Sequence, residues 1–269
     1  MAQLDGMTDQ LRNRLWNVLL EQVLSRYGWR DSFITDDSAR GFSVWIWGEF
    51  LLEPVDSQPQ QLSKTKQRIR EHFFAWKWHR VYDFFEFLLD RDRAPQLYRN
   101  RVDLSALQGA INRALELGGS GYRCAAGRFV PVTSDCELES VTTAIADSPC
   151  EAARIHLRRA SDLLGPSDEP DFRNSVKESI SAVESALKAW AGDPKMTLGG
   201  ASSELKNRRA LHPSLIGAIE KLWGYASGKP GIRHGGLEVA AVSRAEARFV
   251  LVVSSAIIHL FQELPLPRG

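Results

Sequence analysis

Three Ser-x-x-Glu patterns, at Ser134/Glu137, Ser148/Glu151 and Ser243/Glu246, constrain this chain more than any other local feature. In such a box the serine hydroxyl satisfies an amide of the first helical turn and the glutamate reaches back to the serine N–H, so each predicts a helix start. Pro149 suits the first helical position after a cap at Ser148. Apolar residues then recur at helical spacing from Asp171 to Ala191, again after Thr197, and through Leu215, Ile219 and Leu222 up to Gly228. The last segment, Arg244 to about Gln262, is apolar through Val250, Leu251, Ile257, Ile258 and Phe261, and reads as the central strut of a helical bundle.

The first half is helical by the same criteria. Thr8 and Asp9 start a helix whose stripe of Leu11, Leu15 and Leu19 runs to about Arg26. Val44 to Leu52 is a dense apolar run read as helix, and one long helix is expected from about Gln61 to Leu89. Its stretch HFFAWKWHRVYDFF covers too many faces with aromatic rings to form one open base-stacking platform, which points to core packing. His72 and His79 share a face, but no carboxylate pattern completes a metal site. A further helix spans Asp103 to Leu117 and closes at Gly118-Gly119. The clearest strand signal follows: Tyr122 to Ala125 and Arg128 to Val132 around a turn at Ala126-Gly127, with Pro131 holding the second strand to an edge. The expected fold class is therefore all-α, with a helical domain over 1–119, a β-hairpin connector over 120–133 and a helical bundle over 134–269.

Composition narrows the function classes. A formal net charge of +1 over 269 residues gives no global basic field, so contact with nucleic acid has to come from a local patch. The N-terminal MAQLDGMTDQ has no basic stretch followed by an apolar core, and the apolar run Phe249 to Phe261 is shorter than a bilayer span. A soluble cytoplasmic protein without membrane contact is expected. Cys124, Cys136 and Cys150 lack metal-ligand spacing and suit a reducing compartment. Neither a metal nor another cofactor is called for.

The residues with chemistry to offer lie in the second half. In WGYASGKPGIRHGG, from Trp223 to Gly236, a helical pattern stops and Pro230-Gly231 forbids its immediate resumption. Arg233 and His234 follow. A guanidinium fork suits phosphate and an imidazole exchanges protons near neutrality, so the pair reads either as phosphate chemistry or as a solvated structural loop. Upstream, Asn174, Glu178, Ser181 and Ser185 form a polar stripe on the helix from Asp171 to Ala191, opposite the apolar stripe of Val176, Ile180, Val183 and Leu187. Turned inward, that stripe would let Glu178 orient Arg233 or His234.

FRNSVKESISAVESALKAWAG (172–192), TLGGASSELK (197–206), LWGYASGKPGIRHGG (222–236) and the helix from Ser243 together resemble the HEPN domains of AbiJ-type abortive-infection proteins. The first half, with LRNRLWNVLLEQVL and the aromatic helix, is similar to the N-terminal domain that often precedes them. The resemblance implies an all-α bundle that pairs two protomers, and an antiviral endoribonuclease needing no metal. Arg233, His234, Glu178 and Asn174 would then be its site residues. A neutral imidazole would take the ribose 2′-hydroxyl proton, and the guanidinium would offset charge on the phosphate oxygens, leaving a 2′,3′-cyclic phosphate. The family motif separates its histidine from the arginine by four to six intervening residues; here Glu238, Val239 and Ala240 occupy those places and His234 adjoins Arg233. The sequence therefore leaves open a nuclease, a lapsed HEPN module that dimerises or binds RNA or a nucleotide, and a structural role for the pair.

Overall fold

The computed structural model describes residues 2–27, 37–207, 210–228 and 242–264. Its fold is all-α with one small hairpin. It divides into two compact units, Met1–Phe129 and Val130–Gly269.

In the first unit, α1 (Asp9–Gln22) starts where the Thr8 side chain accepts from the Leu11 amide, and it buries Leu11, Leu15, Trp16 and Leu19. A 3-10 turn, Leu24–Tyr27, follows. Then α2 (Asp37–Trp45) widens into a π-helical turn, Ile46–Leu51, closed by Leu52 in the left-handed region at φ 58°. The run from Val44 is thus helical.

The long helix expected from Gln61 is broken. Trp76 and Lys77 are extended, separating α3 (Leu62–Ala75) from α4 (Trp78–Leu89). A single rod of that length would extend about 40 Å with rings on every face and nothing to cover them. The break turns α4 back, so that Trp76 meets Phe84 at 5.2 Å between ring centres and Phe73 meets Phe85 edge-on at 6.3 Å. Phe73, Tyr82, Phe84 and Phe85 are fully buried, so the aromatic stretch is core.

A short α5 (Gln96–Arg99) leads to α6 (Leu104–Leu117), capped by the Asp103 carboxylate on two amides. The N-terminal segment docks just beyond it: Gln3 N–H donates to Gly119 O at 3.0 Å and Gly121 N–H to Gln3 O at 2.8 Å. A Cβ at Gly121 would stand 2.5 Å from Leu4 Cδ2, so a side chain there would have to push Leu4 aside. The hairpin follows as β1 (Arg123–Ala125) and β2 (Arg128–Val130). Its two-residue turn, Ala126 at φ 48° and Gly127 at φ 80°, has the sign pattern that matches strand twist. Gln108 Oε1 accepts from Gly127 N and Glu86 Oε1 from Phe129 N, which ties the hairpin to α6 and α4.

The second unit holds α7 (Asp135–Asp147), α8 (Glu151–Leu164), α9 (Phe172–Ala191), α10 (Leu198–Asn207), α11 (Pro213–Gly228) and α12 (Arg244–Glu263). Of the three capping boxes only Ser243/Glu246 forms. Ser134 caps α7 without a side-chain bond, and α8 starts two residues later than expected, at an N-cap of Cys150. Ser148 instead ends α7, its hydroxyl buried and without a hydrogen-bond partner among the described residues. The strut of this unit is α9 rather than α12. It packs on α8 and α12 and touches α10 and α11, because Ser175, Ser179, Ala182 and Ala186 keep its buried surface narrow enough for neighbours on several sides. By length and hydropathy α12 reaches the threshold of a membrane span, more than the sequence run suggested. Yet Ala247, Val250, Leu251 and Ile258 are buried, and the helix packs on α9 and α7, as a core helix does.

Candidate functional site

The seam between α8 and α9 carries the described part of the site. The two helices run antiparallel: Asp171 N–H donates to Leu163 O at 2.9 Å, and Ser175 Oγ donates to Ala160 O at 2.8 Å. One turn further along, Glu178 on α9 meets His156 on α8, Oε2 to Nδ1 at 2.7 Å. An ionised carboxylate only accepts, so Nδ1 carries the proton and Nε2, across the ring, keeps its lone pair in the neutral imidazole. The carboxylate is the deeper partner, 17% exposed against 28% for the ring.

Asn174 lies one turn before Glu178 and serves the start of α9. Its backbone N–H donates to Asp171 Oδ1 at 3.0 Å and its Nδ2 to Asp171 Oδ2 at 2.6 Å, leaving its own carbonyl oxygen for other partners. Ser181 and Ser185 continue the stripe, with Ser185 Oγ donating to Ser181 O. All four stripe residues are half-buried. Arg233 and His234 lie outside the described residues; of the expected site residues the seam pairs Glu178 with His156, while Asn174 bonds Asp171.

His156 was not legible as a site residue in the sequence, because its partner stands 22 positions away and no spacing rule links them. The available signal was the helix pair itself: folding α8 back on α9 about the loop from Gly165 to Pro170 sets positions 156 and 178 opposite each other.

Two further features concern the second unit. A cavity of about 600 Å³ between α9, α10 and α11 is lined by Glu184, Lys188, Met196, Thr197, Glu220 and Trp223. There the Ser202 hydroxyl and Lys206 hold the Glu220 carboxyl below its usual range. A groove of about 480 Å³ between α11 and α12 is nearly all apolar, with Leu215, Leu222, Val253 and Phe249 on its walls. In the first unit, burial pushes the Cys124 thiol up, which keeps it neutral and unreactive. Among the described residues no group of three or more His, Cys, Asp or Glu is placed to hold a metal.

A family model described as AbiJ N-terminal domain 4 matches residues 1–147. The chain belongs to this AbiJ family. No curated protein and no solved structure matches it. The AbiJ match takes in the first unit, the hairpin and α7, and it points to abortive-infection defence. The seam between α8 and α9 lies beyond the AbiJ-matched residues.

Proposed function

We propose that this AbiJ-family chain is an RNA-cleaving effector of abortive-infection defence, acting in the cytoplasm through a HEPN-like bundle over 134–269. Residues 1–119 are its AbiJ-like domain and 120–133 the connector. Arg233 and His234 meet the scissile phosphate, Glu178 and Asn174 support them, and no metal or cofactor takes part. Two protomers pair through the bundle. The observation that supports this reading is on the α8–α9 seam, where Glu178 of the polar stripe meets His156 at 2.7 Å. A carboxylate and an imidazole drawn partly out of water are held by each other, and an imidazole held by a carboxylate suits proton transfer.

The test is cleavage of labelled structured RNA by the purified full chain with excess chelator. Wild type yields fragments ending in 2′,3′-cyclic phosphate, and the Arg233→Ala/His234→Ala double variant, at matched thermal stability, yields none. Intact RNA with wild type overturns the reading.

A second reading is a HEPN module without catalysis, serving dimerisation or binding of RNA or a nucleotide. The apolar groove between α11 and α12 favours it, because Phe249 stands 58% exposed on the same groove as Leu215, and a contiguous apolar patch suits a binding surface. Salt-dependent retention of uncut RNA is its signature, since phosphate contacts release counterions.

A further inference from the structure

On the α8–α9 seam a carboxylate holds an imidazole. His156 Nδ1 is held at 2.7 Å by a carboxylate more buried than itself, and the His156 side chain is 28% exposed. A ring so held has one tautomer and one orientation, which is what a general base requires. One helical turn along, at i+3 on the same side of α8, stands Arg159. It is exposed and makes no hydrogen bond or ion pair with any described residue. An imidazole and a guanidinium three residues apart on one helix face can meet a hydroxyl and its neighbouring phosphate together.

We propose that His156, oriented by Glu178, is the base that takes the ribose 2′-hydroxyl proton, with Arg159 on the phosphate. The inference rests on the RNA-cleaving reading above and moves the base away from His234. In the step, Nε2 accepts the 2′-hydroxyl proton as the 2′ oxygen forms its bond to phosphorus. The bond from phosphorus to the 5′ oxygen breaks, and that oxygen takes a proton from solvent water. The imidazolium then returns its proton to solvent. The products are a 2′,3′-cyclic phosphate and a 5′-hydroxyl, with no oxidant or reductant consumed. Glu178 acts through the ring and is a positioning residue; Arg159 offsets charge that grows on the phosphate oxygens.

The experiment uses the full chain, labelled structured RNA and excess chelator. His156→Ala is expected to lower cleavage by about 10²- to 10⁴-fold, the range typical of a lost general base, and added imidazole restores part of the rate. His156→Gln keeps a donor for Glu178 and so keeps the seam, but it has no basic nitrogen; it is expected to match wild type in thermal stability and to be inactive. Glu178→Gln is expected to lower kcat about 10- to 100-fold with KM unchanged. Cleavage by His156→Gln at the wild-type rate overturns the assignment and leaves the RNA-cleaving reading standing. So does loss in His156→Ala that imidazole fails to restore, because a ring that only staples two helices is not replaced by a free one. Uncut RNA with wild type overturns both.

Discussion

Ala126 occupies a backbone position that an L-residue adopts at a cost. Its φ of 48° and that of Gly127, 80°, make the two-residue turn between β1 and β2. The left-handed region costs a residue with a Cβ about 1–2 kcal/mol, and asparagine is the side chain best suited to the first position of such a turn. Ala126→Asn is therefore expected to stabilise the chain by about 1 kcal/mol, read as a higher denaturant midpoint with an unchanged slope. A midpoint that stays put would show that the hairpin is held by its hydrogen bonds to Gln108 and Glu86 instead. The turn was legible in the dipeptide Ala-Gly between two strand-like runs. The bond between His156 and Glu178 was not, since the order of two residues along a chain says nothing about which helices pair.

Helix starts separate local chemistry from its realisation. Ser243 completes both halves of its box: its Oγ accepts from Glu246 N at 3.2 Å and the Glu246 carboxylate accepts from Ser243 N at 2.8 Å. Ser134 precedes α7 with the same pattern and forms no side-chain cap. Ser243→Ala is expected to cost about 1 kcal/mol and Ser134→Ala a few tenths at most, measured by denaturant unfolding of the two variants side by side. Equal losses would mean that the pattern acts through the unfolded chain rather than through the cap. The difference arises because a capping box competes with every other partner its side chains meet. Glu137 Oε1, three residues after Ser134, lies 3.6 Å from Arg248 of α12 and is drawn away from the cap. The break at Trp76 and Lys77 is of the same kind. Periodicity continues through it, and only the need to cover aromatic rings on several faces turns the chain.

The whole molecule has two cores. Residues from Leu11 to Phe129 form one aromatic-rich cluster, with Tyr27 stacked on Phe42 at 4.5 Å and Trp45 on Phe87 at 4.2 Å. The second unit packs around α9, where Trp190 stacks on Phe261 at 6.3 Å. Separate cores of this size melt as separate cooperative units. Calorimetry is thus expected to resolve two transitions, and tryptophan fluorescence to follow the first unit, because only Trp190 and Trp223 of the eight tryptophans lie beyond residue 129. A single transition seen by both probes would show one cooperative body. Apolar stripes at helical spacing, a turn dipeptide and a net charge near zero were enough to read the all-α class, the hairpin and the lack of a global basic field, because each depends on neighbours within one turn of chain. Which helix became the strut, where the aromatic rod broke, which serine truly capped and which imidazole met Glu178 depended on groups far apart in the chain competing for the same space and the same hydrogen bonds, and that competition is settled only when the helices pack.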